Sequence, residues 1–319
     1  MLEIRNLKTV FDDGSGQILT AVDGVSFSVN AGSKVGIVGE SGSGKSVSVL
    51  SVMGLLSDEG RVAGGDVLWQ GQNLVGLPER EYRAIRGREI GLIFQNPLAS
   101  LNPVFSIGSQ FVETLRLHFG ISKREARDQA IEWLRRVKIP DPEKRLHDYP
   151  HQFSLGMCQR IMIALTVSMK PKLLIADEPT ASLDVTIQAQ ILDLIGELCD
   201  DLGMSVLMIS HDLGVIAQHC DEVVVMYLGK VVESGSTKTI FSAPKHPYTK
   251  ALIRSIPSAD PSQARDSFRL KGDVPSLLEL PTGCRFHTRC PDVMDKCKQV
   301  NPEMKNVEGV KTACFLYHN

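Results

Sequence analysis

Gly39-Glu40-Ser41-Gly42-Ser43-Gly44-Lys45-Ser46 decides how the rest of the chain is read. It follows Lys34-Val35-Gly36-Ile37-Val38, a short apolar run suited to a buried strand, and leads into SVSVLSVMGLL, an apolar helical stretch. The pattern G-x-x-x-x-G-K-[ST] between a strand and a helix is that of a phosphate loop. Gly39, Gly42 and Gly44 let the backbone N–H groups around Ser41 and Ser43 close on phosphate oxygens. The helix start, Lys45 to Val47, adds its positive dipole end. Lys45 would reach the β- and γ-phosphates and the Ser46 hydroxyl would coordinate Mg²⁺. A Gly/Ser turn could match the pattern by chance, but the strand–loop–helix context argues against that.

Further along, LLIADEPTASLD delivers Asp177 and Glu178 at the end of an apolar strand. Two carboxylates there suit a Mg²⁺ shell at Asp177 and a water-orienting base at Glu178. The bland reading is a solvated acidic turn, which the upstream phosphate loop disfavours. The strand SVLMIS ends in His211-Asp212. A histidine at a strand's carboxyl end lies on the ligand side of an α/β sheet, where it can donate to a γ-phosphate oxygen.

Around these motifs LEIRNL, the polar DDGSGQ turn and AVDGVSFSV read as β-rich. From about Pro97 to Met169 the periodicity turns helical, as in KREARDQAIEWLRRV, with Ser122 as a cap. IQAQILDLIGELCDDLG reads as a helix ending at Gly203, and DEVVVMYLGKVVES as two strands joined by a Leu-Gly turn. The fold class expected is α/β. A P-loop core carries an antiparallel β subdomain, an inserted helical subdomain and a small C-terminal cysteine-bearing extension. The domains expected are 1–255, with the insertion at about 97–169, and 256–319, joined by a Pro-, Ser- and Asp-rich linker.

Of the 319 residues 43% are apolar and 23% charged, the mix of a globular protein, and the net charge of −2 offers no field for nucleic acid. No stretch approaches about 18 uninterrupted apolar residues, and MLEIRNLKTVF is too charged for a signal peptide. The expected compartment is the cytosol, where disulfides are disfavoured.

The ordered set GESGSGKS, IFQNP, LGMCQR, LLIADEPTASLD and ISHD resembles the ATP-binding subunit of an ABC transporter, over residues 1 to 255. The resemblance implies that Gln95 touches Mg²⁺ and the membrane-subunit interface. It also implies that Phe11 stacks on adenine and that Ala181 to Asp184 forms a dimer contact. HPYTKALIRSIP and PTGCRFHTRCP extend the resemblance to subunits of dipeptide/oligopeptide importers and so to nearly the whole chain. That implies an ATPase lying peripherally on the cytoplasmic face of the inner membrane, bound to two transmembrane permease subunits. It further implies a second ABC ATPase subunit as heterodimer partner and an extracytoplasmic solute-binding protein that feeds the complex. Close relatives carry nickel or another small solute. A soluble ABC ATPase acting on nucleic acid or ribosomes would carry long coiled-coil insertions or tandem ATPase domains, and a small-molecule P-loop kinase would lack LGMCQR and ISHD.

One departure stands out. The family's signature is Leu-Ser-Gly-Gly, and here the stretch is Phe153-Ser154-Leu155-Gly156-Met157. Ser154 and Gly156, at a helix N-terminus, would cap the partner's γ-phosphate. Leu155 would crowd the nucleotide, or cost about 1–2 kcal/mol if its φ were positive. The site weakened would be the one this chain caps, which implies a heterodimer with one strong and one weak hydrolytic site.

Seven cysteines remain to be placed. Cys158, Cys199 and Cys220 read as packing thiols. Cys284, Cys290, Cys297 and Cys314 follow the spacing C-x5-C-x6-C-x16-C, which lacks the C-x2-C knuckles of structural zinc. Four thiolates can hold a [4Fe–4S] cluster at varied spacings, and the resemblance implies one here, since some relatives of the dipeptide-importer type carry a cluster at this extension. A cluster, a zinc ion and four unligated thiols all stay open. A tail of about 35 residues can hardly build its own core, so a metal staple would account for its folding.

Overall fold

The computed structural model describes residues 1–12, 14, 16–181, 183–256 and 272–318. The chain divides into two compact units, Met1–Leu77 with Met208–Asn319, and Pro78–Leu207. The expected linker falls on residues 257–271, outside the described residues.

The first unit opens with β1 (Leu2–Asp12) and β2 (Ile18–Val29), paired antiparallel with Leu2 opposite Val29 and Phe11 opposite Leu19. Leu2, Ile4 and Leu7 are almost fully buried, as the apolar pattern requires. β3 (Lys34–Val38) runs into the phosphate loop and α1 (Lys45–Met53). β4 (Gly60–Trp69) and β5 (Gln72–Asn73) complete an antiparallel sheet of order β2-β1-β4-β5. β4 had no reading in the sequence because two glycines interrupt its pattern. Gly65 sits at φ +82°, where a Cβ would lie 2.3 Å from the Asn6 carbonyl oxygen, at a shift in the β1–β4 register.

The second unit begins with α2 (Glu79–Ile85) and β6 (Ile90–Ile93). Helices then follow one another as α3 (Pro97–Ser100), α4 (Ile107–Phe119), α5 (Lys123–Arg136), α6 (Pro142–Arg145) and α7 (Leu155–Val167). Ser122 caps α5 as expected, its hydroxyl accepting from the Glu125 N–H at 3.2 Å. Ala126, Ala130, Trp133 and Leu134 form the buried stripe of that helix. β7 (Leu173–Asp177) lies parallel to β6, and α8 (Val185–Leu202) ends at Gly203 with φ +64°.

β8 (Ser205–Ser210), buried along its length, leads back to the first unit. There α9 (Leu213–His219), β9 (Glu222–Tyr227), β10 (Lys230–Ser236), α10 (Thr237–Ser242) and α11 (Pro247–Arg254) follow. The β9–β10 turn places Leu228 at φ +43° and Gly229 at φ +77°, the paired left-handed residues of a tight hairpin. The extension supplies α12 (Asp295–Gln299), β11 (Lys305–Val307) and β12 (Val310–Thr312). The strand order in this unit is β11-β12-β10-β9-β3, with β3 parallel to β9.

The extension therefore does not have to build a core alone. β12 pairs antiparallel with β10, with Glu233 opposite Thr312, and Phe286 is buried against Tyr227 and Tyr248. A metal staple is not needed to explain why it folds. Among the described residues no helix is long and apolar enough to cross a membrane.

Candidate nucleotide site

In the phosphate loop Gly42 and Gly44 have φ of +76° and +96°, values that side chains resist. A Cβ on Gly44 would lie 2.6 Å from the Ala21 carbonyl oxygen, so glycine is required there on two counts. Gly44 also occupies the N-cap of α1, without a side-chain hydrogen bond. Lys45 is only 5% exposed, and its Nζ donates to the carbonyls of Gly39 (2.8 Å) and Glu40 (3.0 Å). The ammonium is thus folded over the loop it serves. Ser43 Oγ is buried with no hydrogen-bond partner among the described residues. An orphaned hydroxyl, a buried cation and left-handed glycines at a helix start are the donor set that a polyphosphate satisfies.

Phe11 lies half-buried on β1 against Gly60, where an added Cβ would sit 2.6 Å from Phe11 Cε1. The absence of a side chain at Gly60 makes room for the ring. Two residues earlier, the Thr9 and Ser51 hydroxyls bond at 2.8 Å and tie β1 to α1. His211 is exposed at the corner after β8. Asp212 fixes that corner, its N–H donating to Ser210 Oγ (2.9 Å) and its carboxylate accepting from the Gly214 N–H (2.7 Å).

The second unit holds the other candidates. Asp177 ends β7, and Glu178 follows at φ +44°. A left-handed glutamate is strained by about 1–2 kcal/mol, a cost found where a side chain must be aimed. Gln95 Nε2 donates to Glu178 Oε2 at 3.3 Å, bringing together two residues 83 apart in sequence. Ser154 caps α7, accepting from the Met157 N–H at 3.3 Å, and Asp184 caps α8, accepting from the Ile187 N–H at 3.0 Å. A Cβ on Gly156 would meet Ile187 at 3.2 Å, so these two helix starts pack closely. Ser182, in the expected dimer contact, lies outside the described residues.

The ABC transporter pattern matches residues 22–181, and the pattern of the oligopeptide/dipeptide transporter C-terminal region matches residues 232–297. The chain is 45% identical to the oligopeptide transport ATP-binding protein OppD of Salmonella typhimurium, covering 99% of this chain and 93% of that protein. It is 47% identical to AppD of Bacillus subtilis, covering 99% and 97%. The chain belongs to the ABC transporter family. Among solved structures, the ATP-binding cassette MJ0796, in a dimeric post-hydrolysis state with ADP and Pi, superposes with a TM-score of 0.66. It is 26% identical, and the match covers 74% of this chain and 99% of that one. CbiO1 of Clostridium perfringens, part of an ABC transporter complex, gives 0.63 at 27% identity, covering 76% and 90%. This ABC ATPase hydrolyses ATP to drive transport.

Two expectations change on the geometry of this ABC ATPase. Leu155 is the first residue of α7 and is not among the left-handed residues, so the conformational cost attached to replacing glycine there does not arise. The second concerns the extension. Cys284, Cys290, Cys297 and Cys314 all line one small cavity of about 10 Å³, roughly the space of one water. Among the described residues no group of three or more His, Cys, Asp or Glu side chains could hold a metal ion. Neither zinc nor an iron–sulfur cluster is supported by that geometry. Burial pushes the thiols of Cys284 and Cys290 up to about 11 and about 12. Cys158, Cys199 and Cys220 are buried thiols, as expected.

Residues that the motifs alone left without a role also meet at this site. Glu40 in the phosphate loop, Tyr248 of HPYTKALIR and Arg289 of CRFHTRC converge in the first unit. The available signal was that all three lie inside the quoted motifs. The chemistry of nucleotide binding does not by itself ask for a glutamate at the loop's second position.

Proposed function

We propose that this ATPase powers the import of dipeptides or oligopeptides through two partner permeases, working as a heterodimer with a second ATPase subunit. What carries the reading is likeness over the whole chain, including the C-terminal region, to transport proteins whose names specify oligopeptides and dipeptides. The protein would lie peripherally on the cytoplasmic face of the membrane, and an extracytoplasmic binding protein would present the peptide.

In this mechanism the phosphate loop binds the β- and γ-phosphates, with the Lys45 ammonium exchanging the loop carbonyls for phosphate oxygens. Mg²⁺, when bound with ATP, would neutralise developing charge on the phosphates, and the Ser46 hydroxyl is one of the side chains that would hold it, with Asp177 and Gln95 the other candidates. Glu178 orients the attacking water, and Gln95, which donates to that carboxylate, reports its state to the permease side. His211 donates to the γ-phosphate and Phe11 stacks on the base. Ser154 and Gly156 cap the partner's nucleotide, with Asp184 at the subunit contact. Ser154 can serve there while it caps α7, because a hydroxyl accepts one hydrogen bond and donates another.

Uptake of a labelled peptide panel, with nickel as control, by the complex reconstituted in vesicles tests the reading. ATP-dependent peptide uptake is expected, and nickel uptake without peptide uptake would overturn it. Glu178→Gln in this chain and the matching change in the partner ATPase then compare the two sites. Unequal losses of turnover are expected for one strong and one weak site, and equal losses remove the asymmetry. A [4Fe–4S] cluster on Cys284, Cys290, Cys297 and Cys314 belongs to this proposal through the resemblance to dipeptide importers alone. Iron and sulfide analysis of anaerobically purified protein decides it, and protein free of iron removes it.

A further inference from the structure

The side chain of Arg289 is 6% exposed and reaches from the cysteine-bearing extension to the second residue of the phosphate loop. Its Nη1 donates to Glu40 Oε2 at 2.6 Å and its Nη2 donates to Oε1 at 3.1 Å, a two-pronged pair that fixes both the position and the plane of the carboxylate. Nη1 also lies 3.4 Å from the Tyr227 hydroxyl. The Glu40 backbone N–H donates to the Tyr248 hydroxyl at 2.9 Å, so both the side chain and the main chain of Glu40 are held. Behind them Tyr227, Tyr248 and Phe286 pack as one aromatic cluster, with ring centroids 4.8–5.3 Å apart.

A second tie comes from the same short segment. Arg285 donates to the Leu228 carbonyl and, at 2.5 Å, to Asp23 Oδ2. The next residue, Gly229, donates its N–H to the Ser43 carbonyl at 2.9 Å, while the Asp23 N–H donates to the Gly229 carbonyl at 2.8 Å. The phosphate loop is therefore gripped at Glu40 and steadied at Ser43 by two arginines four residues apart.

We infer that the extension braces the phosphate loop, and that Arg289 is a positioning residue for ATP acting through Glu40. The Glu40 carbonyl is one of the two on which the Lys45 ammonium rests, so a fixed Glu40 fixes the lysine that must meet the phosphates. Holding the loop in its binding shape lowers the ordering that ATP must impose. Burial works against the Arg289 charge, but its hydrogen bonds to Glu40 and Tyr227 more than offset this and raise its pKa, so the brace stays ionised. Arg289 acts on the loop, so its effect belongs in nucleotide affinity and not in the chemical step.

The experiment measures binding of a fluorescent, non-hydrolysed ATP analogue to the full-length chain, and KM and kcat for ATP in the assembled transporter. Arg289→Ala is expected to weaken analogue binding and raise KM about tenfold, the order of one charge-assisted hydrogen bond, with kcat nearly unchanged. Arg289→Lys should recover part of the loss, since it keeps the charge but not the fork. Combining Arg289→Ala with Glu40→Gln should cost no more than the worse single change, because both remove one interaction. Analogue affinity within about twofold of the unaltered chain, or losses that simply add, would overturn the proposal and leave the pair as packing for the extension. Should Arg289→Ala fail to fold, Glu40→Gln alone carries the same prediction from the loop side. Analogue binding is read without transport, so a wrong solute assignment cannot be mistaken for failure of the brace.

Discussion

Two helix starts in this molecule carry the motifs from which the nucleotide site was read, and they are built differently. α1 begins at Gly44, left-handed at φ +96°, with no capping side chain and no room for a Cβ. α7 begins at Ser154, in extended conformation, whose hydroxyl accepts from the Met157 N–H. The first has no N-cap side chain and follows a loop whose left-handed turns favour glycine. The second is an ordinary capped helix, and its Leu155 and Gly156 lie within regular backbone. The difference teaches that a glycine in a motif is not one kind of requirement. At Gly44 the backbone demands it, whereas at position 155 the backbone makes no such demand.

The largest effect expected from this comparison is at Gly44. Gly44→Ala adds left-handed strain and a backbone clash, together about 2–5 kcal/mol, drawn from the very shape that holds phosphate. ATP binding measured by calorimetry should fall at least about a hundredfold. Binding that survives within about tenfold would show that the loop can relax, and the contrast with α7 would lose its force.

Glu178 sharpens the same point from the other side, because there the chain accepts a left-handed residue that is not glycine. Glu178→Gly should raise the unfolding free energy relative to Glu178→Gln by about 1–2 kcal/mol, while both nearly abolish ATP turnover. Chemical denaturation of the two variants checks this. Equal stabilities would mean that the carboxamide and its Gln95 neighbour repay the strain.

How far these features could be read in the sequence follows from how local they are. The phosphate loop lies in eight consecutive residues between a strand and a helix, so its glycines, Lys45 and Ser46 were legible at once. The caps Ser122 and Gly203 were legible for the same reason. β4 was hidden because Gly64 and Gly65 break its alternation where β1 bulges. The extension misled because its short length argued for a staple, whereas β10 lends it a sheet edge from some 80 residues upstream. The Arg289–Glu40 pair spans 249 residues and left no periodicity to find. The strain at Glu178 is a torsion angle and has no signature in residue type.

The smallest effect is the one that tests the comparison most directly. Leu155→Gly restores the residue that the family's signature carries, at the first position of α7. In right-handed backbone, glycine there loses up to about 1 kcal/mol to a good helix former, so the thermal midpoint should fall by about 1–3 °C. In left-handed backbone the same change would relieve strain and raise the midpoint. The sign therefore reads the conformation of α7 without reference to nucleotide. ATP turnover of the assembled transporter then separates the remaining question. If Leu155 crowds the nucleotide that this chain caps, Leu155→Gly should speed turnover even as it lowers the midpoint, and stability and activity would move in opposite directions at one residue. Unchanged turnover would mean that the capping serine and Gly156 suffice, and that any inequality between the two hydrolytic sites has its origin in the partner.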